Sequence, residues 1–201
     1  MSERHDILVR CEAEAVLGLT PLFREGVEVS VRPGRTLRQT MVEDLGFCPQ
    51  CVEERVQTVF LNGSPVDDID ADAATPGCTL ALAGALPGVA GIAMRRGSPV
   101  GVFREGITHE AAHQADRVGQ PIPVTLKLFN SVALECLAWV LEQGVLVRAA
   151  RLTELLRGDA DALAGAQFHL DGAALDRVAL LDKLEQLPGL VRLVAEVAHA
   201  S

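Results

Sequence analysis

Aromatic residues are scarce in this 201-residue sequence: tyrosine is absent, and aromatics make up only 3% of the chain. Hydrophobic residues still reach 49%, so the core must be built mainly from Leu, Val and Ala. Lysine occurs only at Lys127 and Lys183, and the formal net charge is −9. A charge of this sign and size argues against nucleic acid and anionic membranes as main partners.

Long apolar runs are also missing, so we predict no membrane-spanning segment. The first residues lead directly into a strand-like run, which predicts no signal peptide. Cysteine occurs five times, an odd number, and three of the five lie in apolar runs. Free buried cysteines behave as small hydrophobes. We therefore expect a cytoplasmic protein with reduced thiols.

The stretch 56–88 carries the clearest local signals. A β-branched and aromatic run, 58–61, is followed by Asn62-Gly63, the dipeptide best suited to a hairpin turn with positive φ at both central positions. Pro65 donates no backbone hydrogen bond and fits an edge strand. After an acidic loop and a second turn, residues 79–83 form a short apolar run. This stretch predicts a hairpin and a further strand.

Earlier residues add two strands and a helix. Residues 7–12 and 27–32 alternate apolar and polar side chains, the period of a half-buried strand. Thr36 and Gln39 match a capping box, which predicts a helix ended by Gly46. The order strand, strand, helix, strand, strand predicts an antiparallel pair, a helix across it and further strands, which is a β-grasp sheet with one covered face.

The segments VEVSVRPGRTLRQTMVEDLG, VFLNGSPVDD and TPGCTLALAGALPGVAG resemble the small ubiquitin-like sulfur carriers, of the type found in molybdopterin synthase and the thiamin pathway. The resemblance covers roughly residues 7–91. It implies a ubiquitin-like β-grasp fold for that region. Carriers of this family act through a free C-terminal Gly-Gly, whereas this chain has Ala90-Gly91 and continues. The resemblance thus allows sulfur transfer only if a precursor is cleaved near Gly91.

The rest of the chain predicts two further parts. Residues 91–123 are rich in Gly and Pro and are expected to form a connecting segment. Residues 124–201 are expected to form a mainly helical domain, including a helix over 132–141 that is apolar nearly all round. An apolar stripe at helical spacing runs through 175–187 and resumes over 190–197. It is core or, alternatively, the seam of a homodimer. The predicted fold class is α+β, with a β-grasp domain over 1–90.

Three arginines, Arg95, Arg96 and Arg104, form the only basic cluster of the sequence. An arginine guanidinium offers a fork of donors suited to an anion or a partner carboxylate. The alternative is that these side chains pair with the protein's own acids, such as the loop 67–72. Because acidic residues are in surplus, internal pairing is favoured.

His109-Glu110-Ala111-Ala112-His113 matches the H-E-x-x-H pattern. On a helix, His109 and His113 could bind one zinc, Glu110 could act as general base on a bound water, and Glu135 is the best candidate for a third ligand. The polar flanks of the motif fit an ordinary exposed helical turn better. A zinc-dependent hydrolase is therefore an alternative function.

Cys48 and Cys51 form a C-x-x-C pair, which suits zinc binding or redox chemistry. Because the pair follows the predicted helix, a redox role is disfavoured relative to free thiols in a loop. Together with His109 and His113 the pair would complete a structural zinc site.

From the sequence we predict a non-enzymatic cytoplasmic binding or assembly module, without a cofactor, that uses a β-grasp sheet to contact a protein partner. The alternatives are a zinc-dependent hydrolase at His109, Glu110 and His113 and a sulfur-carrier precursor cleaved near Gly91. Zinc is the only cofactor that these alternatives imply, and neither nucleic acid nor a membrane is expected as a partner.

Overall fold

A computed structural model describes residues 4–86, 88, 91, 94–97 and 119–198. These residues form ten strands and seven α-helices. The strands are β1 (Asp6–Glu12), β2 (Val27–Val31), β3 (Thr58–Leu61), β4 (Ser64–Pro65), β5 (Thr79–Ala83), β6 (Ile122–Phe129), β7 (Val145–Arg148), β8 (Gln167–Leu170), β9 (Ala173–Leu175) and β10 (Leu190–Ala198). The helices are α1 (Ala13–Val16), α2 (Thr20–Glu25), α3 (Leu37–Gln39), α4 (Pro49–Glu54), α5 (Asn130–Gln143), α6 (Ala149–Gly158) and α7 (Arg177–Gln186).

The ten strands make a mixed sheet, and the chain divides into two compact units. The terminal unit comprises Met1–Val27 and Leu137–Ser201, and the central unit comprises Glu28–Cys136. Strands follow the order β4-β3-β5-β6-β2 in one half of the sheet and β7-β10-β1-β8-β9 in the other.

The central unit contains the hairpin that the sequence predicted. Strands β3 and β4 pair antiparallel, and Asn62 and Gly63 between them have φ of 52° and 84°. Pro65 lies on the edge strand, as expected. The capping box of Thr36 and Gln39 is also confirmed, but α3 is short and continues as a π-helical segment over Thr40–Asp44. Strand β5 pairs antiparallel with β3 and parallel with β6.

The terminal unit is organised around β10. This strand runs parallel to β1 along seven residue pairs and antiparallel to β7, while β1 pairs with β8 on its other side. Its burial alternates, with Val191, Leu193, Ala195 and Val197 inside. Asp171 and Gly172, both at positive φ, join β8 and β9 in a tight turn. Helices α2 and α7 both contact α6 in this unit.

The predicted β-grasp domain is wrong, and so is the mainly helical C-terminal part. The β-grasp prediction paired the first two strands antiparallel to each other, but β1 instead pairs with β10 and β8, from the C-terminal part of the chain. Residues 122–198 supply five of the ten strands. The chain instead forms a ten-stranded mixed sheet with helices. Many of its neighbouring strands are far apart in the sequence, and local patterns do not specify such pairs.

Two predicted helical features also change. The apolar stripe over 190–197 is strand β10 and not a continued helix. Helix α5 is not buried on every side, because Leu134 is 59% exposed and the side chain of Glu135 is 39% exposed. The buried residues of this helix are Val132, Ala133, Cys136, Leu137, Val140 and Leu141.

Candidate functional site

Several predicted site residues lie outside the described part of the chain, namely His109, Glu110, His113 and Arg104. Glu135, the suggested third zinc ligand, is described: its Oε2 lies 3.2 Å from Nε of Arg55. In the described ranges no group of three or more His, Cys, Asp or Glu side chains is arranged to hold a metal ion. The two zinc hypotheses therefore remain sequence predictions.

Gly91, the residue at which a sulfur-carrier precursor would be cleaved, is described and buried. A Cβ added there would meet the backbone oxygen and side chain of Leu86. Gly91 is thus packed closely against Leu86.

Arg96 is engaged with the backbone of its own unit. Its Nη2 atom donates to the carbonyls of Val52 and Val56, at 3.0 and 2.7 Å, and its backbone amide donates to the Gln57 carbonyl. Burial lowers the pKa of this guanidinium. These contacts satisfy carbonyls at the end of α4. The guanidinium of Arg96 therefore has few donors left to bind an external anion. Arg95, its neighbour, is exposed.

Cys48 and Cys51 do not lie in a loop as expected. Cys48 is the N-cap residue of α4, with Pro49 following it, and its sulfur accepts a hydrogen bond from the Cys51 amide at 3.1 Å. The strand expected before a redox C-x-x-C pair is absent, yet the first cysteine stands at a helix start. The pair does follow a helical segment, residues 37–44, as predicted, but the sequence did not indicate that Cys48 also begins a helix.

A third cysteine joins this pair. Sγ of Cys51 lies 3.2 Å from Sγ of Cys136, on α5. Cys51 is 5% exposed and Cys136 is 0% exposed. Cys48 is exposed. We call Cys48, Cys51 and Cys136 the three-cysteine cluster. All three thiols are free.

Burial raises the pKa of the Cys51 thiol, an effect partly offset by its hydrogen bond with Cys136. Burial raises the pKa of Cys136 still more, and the hydrogen bond with Cys51 acts in the same direction. Both thiols are accordingly protonated at neutral pH and hydrogen-bonded to each other. Cys11 and Cys78, outside the cluster, also have raised pKa values because they are buried.

The terminal unit has a groove of about 790 Å³ between α6 and α7. Ala150, Leu184 and Leu187 supply apolar lining, and Thr153, Glu154, Arg157, Gly158 and Glu185 complete it. Arg157 forms an ion pair with Glu185 within the groove wall. With Glu154 included, the lining of this groove carries one more carboxylate than guanidinium.

A second groove, of about 340 Å³, lies on the other side of α6 against α2. It is lined by Pro21, Leu22, Glu25, Arg151, Glu154, Leu155, Gly158 and Asp159. Arg151 pairs with both Glu25 and Glu154. We call the two grooves and the ridge of α6 between them the α6 face. The lining of this face includes four acidic residues, Glu25, Glu154, Asp159 and Glu185, and two arginines, Arg151 and Arg157.

Neither Cys136 nor the α6 face was singled out in the sequence. Cys136 lies 85 positions from Cys51, and no local pattern links the two thiols. The α6 face depends on how α2, α6 and α7 pack, which no local sequence pattern specifies.

The sequence matches no protein-family model, and no curated protein or solved structure is significantly similar to it. No helix among the residues that the structure describes is long and apolar enough to cross a lipid bilayer.

Proposed function

We propose that the protein is a non-enzymatic protein-binding module, and that its α6 face takes a basic, amphipathic segment of a partner protein. The observation that carries the proposal is the pair of apolar grooves on either side of one helix, edged mainly by carboxylates. Segments of this kind lay apolar side chains into a groove and place their charges at its rim.

The apolar lining supplies the contact area. Leu184 is buried at the floor of the larger groove, with Leu187 partly exposed beside it. In the smaller groove Leu22 is buried and Leu155 is partly exposed. Apolar side chains of a partner would gain about 25 cal/mol per Å² removed from water on this lining.

The rim selects the sign of the partner's charge. The side chains of Glu25, Glu154 and Glu185 are 50%, 69% and 44% exposed, so each can reach a lysine or arginine from outside. Exposed ion pairs contribute about 0.2 to 1 kcal/mol each. Rim charges therefore favour a basic partner over an acidic one and speed its association, while the apolar contacts provide most of the affinity.

We place this module in the cytoplasm. All five cysteines are free, including the exposed Cys48. Thiols persist in reducing compartments and are oxidised to disulfides in secreted proteins. Free thiols, one of them exposed, therefore support a cytoplasmic location.

The test uses the full-length protein and a labelled 18-residue peptide with Leu on one helical face and Lys on the other. Fluorescence anisotropy should show binding that weakens as salt is raised. Replacing Glu154 and Glu185 by Gln should weaken the peptide about fivefold, because about 1 kcal/mol of rim attraction is lost.

Asp182→Asn is the matched control, since Asp182 is exposed on α7 but does not line either groove. It should leave the affinity unchanged. Equal binding of a Leu/Glu peptide, or equal binding by wild type and the double variant, would contradict the proposal. Self-association through this face, detected by sedimentation and lost on Ala150→Trp, would make a second copy of the chain the occupant instead.

A further inference from the structure

The three-cysteine cluster places one exposed and two buried sulfur atoms in sequence within the central unit. The exposed Cys48 hydrogen-bonds to the amide of Cys51, and Cys51 in turn contacts Cys136 through sulfur. Each cysteine thus has the next one as its neighbour. Only Cys48 can meet a molecule from solvent.

The inner two sulfurs are close to bonding distance. A disulfide has an S–S length of about 2.05 Å, so closing the 3.2 Å gap between Cys51 and Cys136 requires a movement of about 1.2 Å. Both residues lie on helices, α4 and α5, whose side chains can change rotamer without a change of backbone. An ion pair also links Arg55, the residue that follows α4, to Glu135, the neighbour of Cys136 on α5.

We propose that the three-cysteine cluster is a thiol–disulfide exchange site. Cys48 reacts with a low-molecular-weight disulfide, and the disulfide bond is then transferred through Cys51 to Cys136. The end product is a buried Cys51–Cys136 disulfide with Cys48 returned to the thiol form. This proposal is independent of the binding function of the α6 face.

The exchange balances in three steps. Cys48 thiolate attacks one sulfur of the small disulfide RSSR, which forms a mixed disulfide and releases RS⁻. Cys51 thiolate then attacks the Cys48 sulfur, forms the Cys48–Cys51 disulfide and releases the second RS⁻. Cys136 thiolate attacks the Cys51 sulfur and frees Cys48. Two protein thiols are oxidised, RSSR is reduced to two RSH, and the protons of Cys51 and Cys136 go to the two RS⁻.

The protonation of the buried thiols sets the rate. Only thiolates attack disulfides, and burial keeps Cys51 and Cys136 in their thiol forms at neutral pH. The second and third steps should therefore be slow, and faster as the pH is raised. Burial of the product also protects it, because an external reductant reaches it only through Cys48.

The test treats full-length protein with oxidised glutathione, blocks free thiols and digests with trypsin. Cys48 and Cys51 share the tryptic peptide 39–55, and Cys136 lies in 128–148. The proposal predicts a crosslink between these two peptides, with Cys48 alkylated. An end product linked within 39–55, a stable glutathione adduct on Cys48, or no reaction would each overturn it.

Three variants assign the roles. Cys48→Ser should slow formation of the crosslink at least tenfold, and Cys136→Ala should stop the reaction at the Cys48–Cys51 disulfide. Cys78→Ala removes a buried thiol of the same unit outside the cluster and should behave as wild type. Circular dichroism verifies that each variant is folded. If Cys48→Ser forms the crosslink at the wild-type rate, Cys48 is not the first nucleophile.

Discussion

Single arginine side chains complete helix ends in both units. Arg177 donates to the carbonyls of Leu156, Asp159 and Ala162, which follow or end α6. Arg96 serves the end of α4 in the same way. The last carbonyls of a helix have no partner within it, and a guanidinium can satisfy several at once. These two arginines are therefore stabilising residues in an acidic chain.

Replacing Arg96 by Met should destabilise the central unit by about 1 to 3 kcal/mol, because two partly buried carbonyls lose a charged donor. Urea unfolding at neutral pH measures the change. Arg96→Lys should recover only part of it, since one ammonium cannot reproduce the fork. Unchanged stability in Arg96→Met would contradict the stabilising role of Arg96 at the end of α4.

Asp171 makes the stability of the fold depend on pH. Its hydrogen bond with His5, at 2.7 Å, lowers the pKa of this carboxyl, and the Asp6 amide adds to the effect. The folded pKa lies below the unfolded one, so the stabilisation is complete above the unfolded pKa of about 3.9 and is lost as the pH falls through the folded value. Half of the side chain is exposed, which keeps the contribution small.

Asp171→Asn should therefore lower the free energy of unfolding by a few tenths of a kcal/mol at pH 6 and by less at pH 3. Asn also tolerates positive φ, so the turn with Gly172 is kept. Urea unfolding at both pH values measures the difference. A loss that grows as the pH falls would mean that the charge of Asp171 does not stabilise the fold.

At the scale of elements, two backbone segments approach each other so closely that position 18 requires glycine. A Cβ at Gly18 would meet Cα of Ala162 at 2.6 Å and its Cβ at 2.9 Å, whereas a Cβ at Gly158 would meet nothing within 4 Å. Both glycines belong to the terminal unit. Gly18 thus lets the segment between α1 and α2 lie against the loop that follows α6.

Gly18→Ala should destabilise the protein by about 1 to 3 kcal/mol through overpacking. Gly158→Ala, at the last position of α6, should stabilise it by about 0.5 to 1 kcal/mol, because Ala loses less backbone entropy in a helix. Thermal unfolding of the two variants measures both changes. Changes of the same sign in the two variants would contradict the packing at Gly18.

The elements also show what the sequence could predict. The hairpin at Asn62-Gly63, the capping box at Thr36 and strands β1, β2 and β5 were predicted because their signals are local. Residues 190–197 were assigned to a helix because Leu190, Leu193 and Val197 fit its spacing. Val191, Leu193, Ala195 and Val197 fit a strand equally well, and only pairing with β1 and β7 decides between them.

At the scale of the whole molecule, the strand pairing could not be predicted. Strand β1 pairs with β10, which is separated from it by nearly the entire chain, and no local residue pattern specifies that partner. Cys51 and Cys136 are also far apart in the sequence, so their contact could not be predicted from it either. The C-x-x-C pair was visible in the sequence, but its third member was found only from the packing of α4 and α5.

A redox titration of the full-length protein tests the three-cysteine cluster most directly. The protein is equilibrated in buffers of reduced and oxidised glutathione, and the fraction with the crosslink between peptides 39–55 and 128–148 is measured. We predict one two-electron transition, in which a tenfold change of the equilibrium corresponds to about 30 mV. It should be absent in Cys136→Ala. No crosslinked fraction even in the most oxidising buffer would contradict the proposed exchange site.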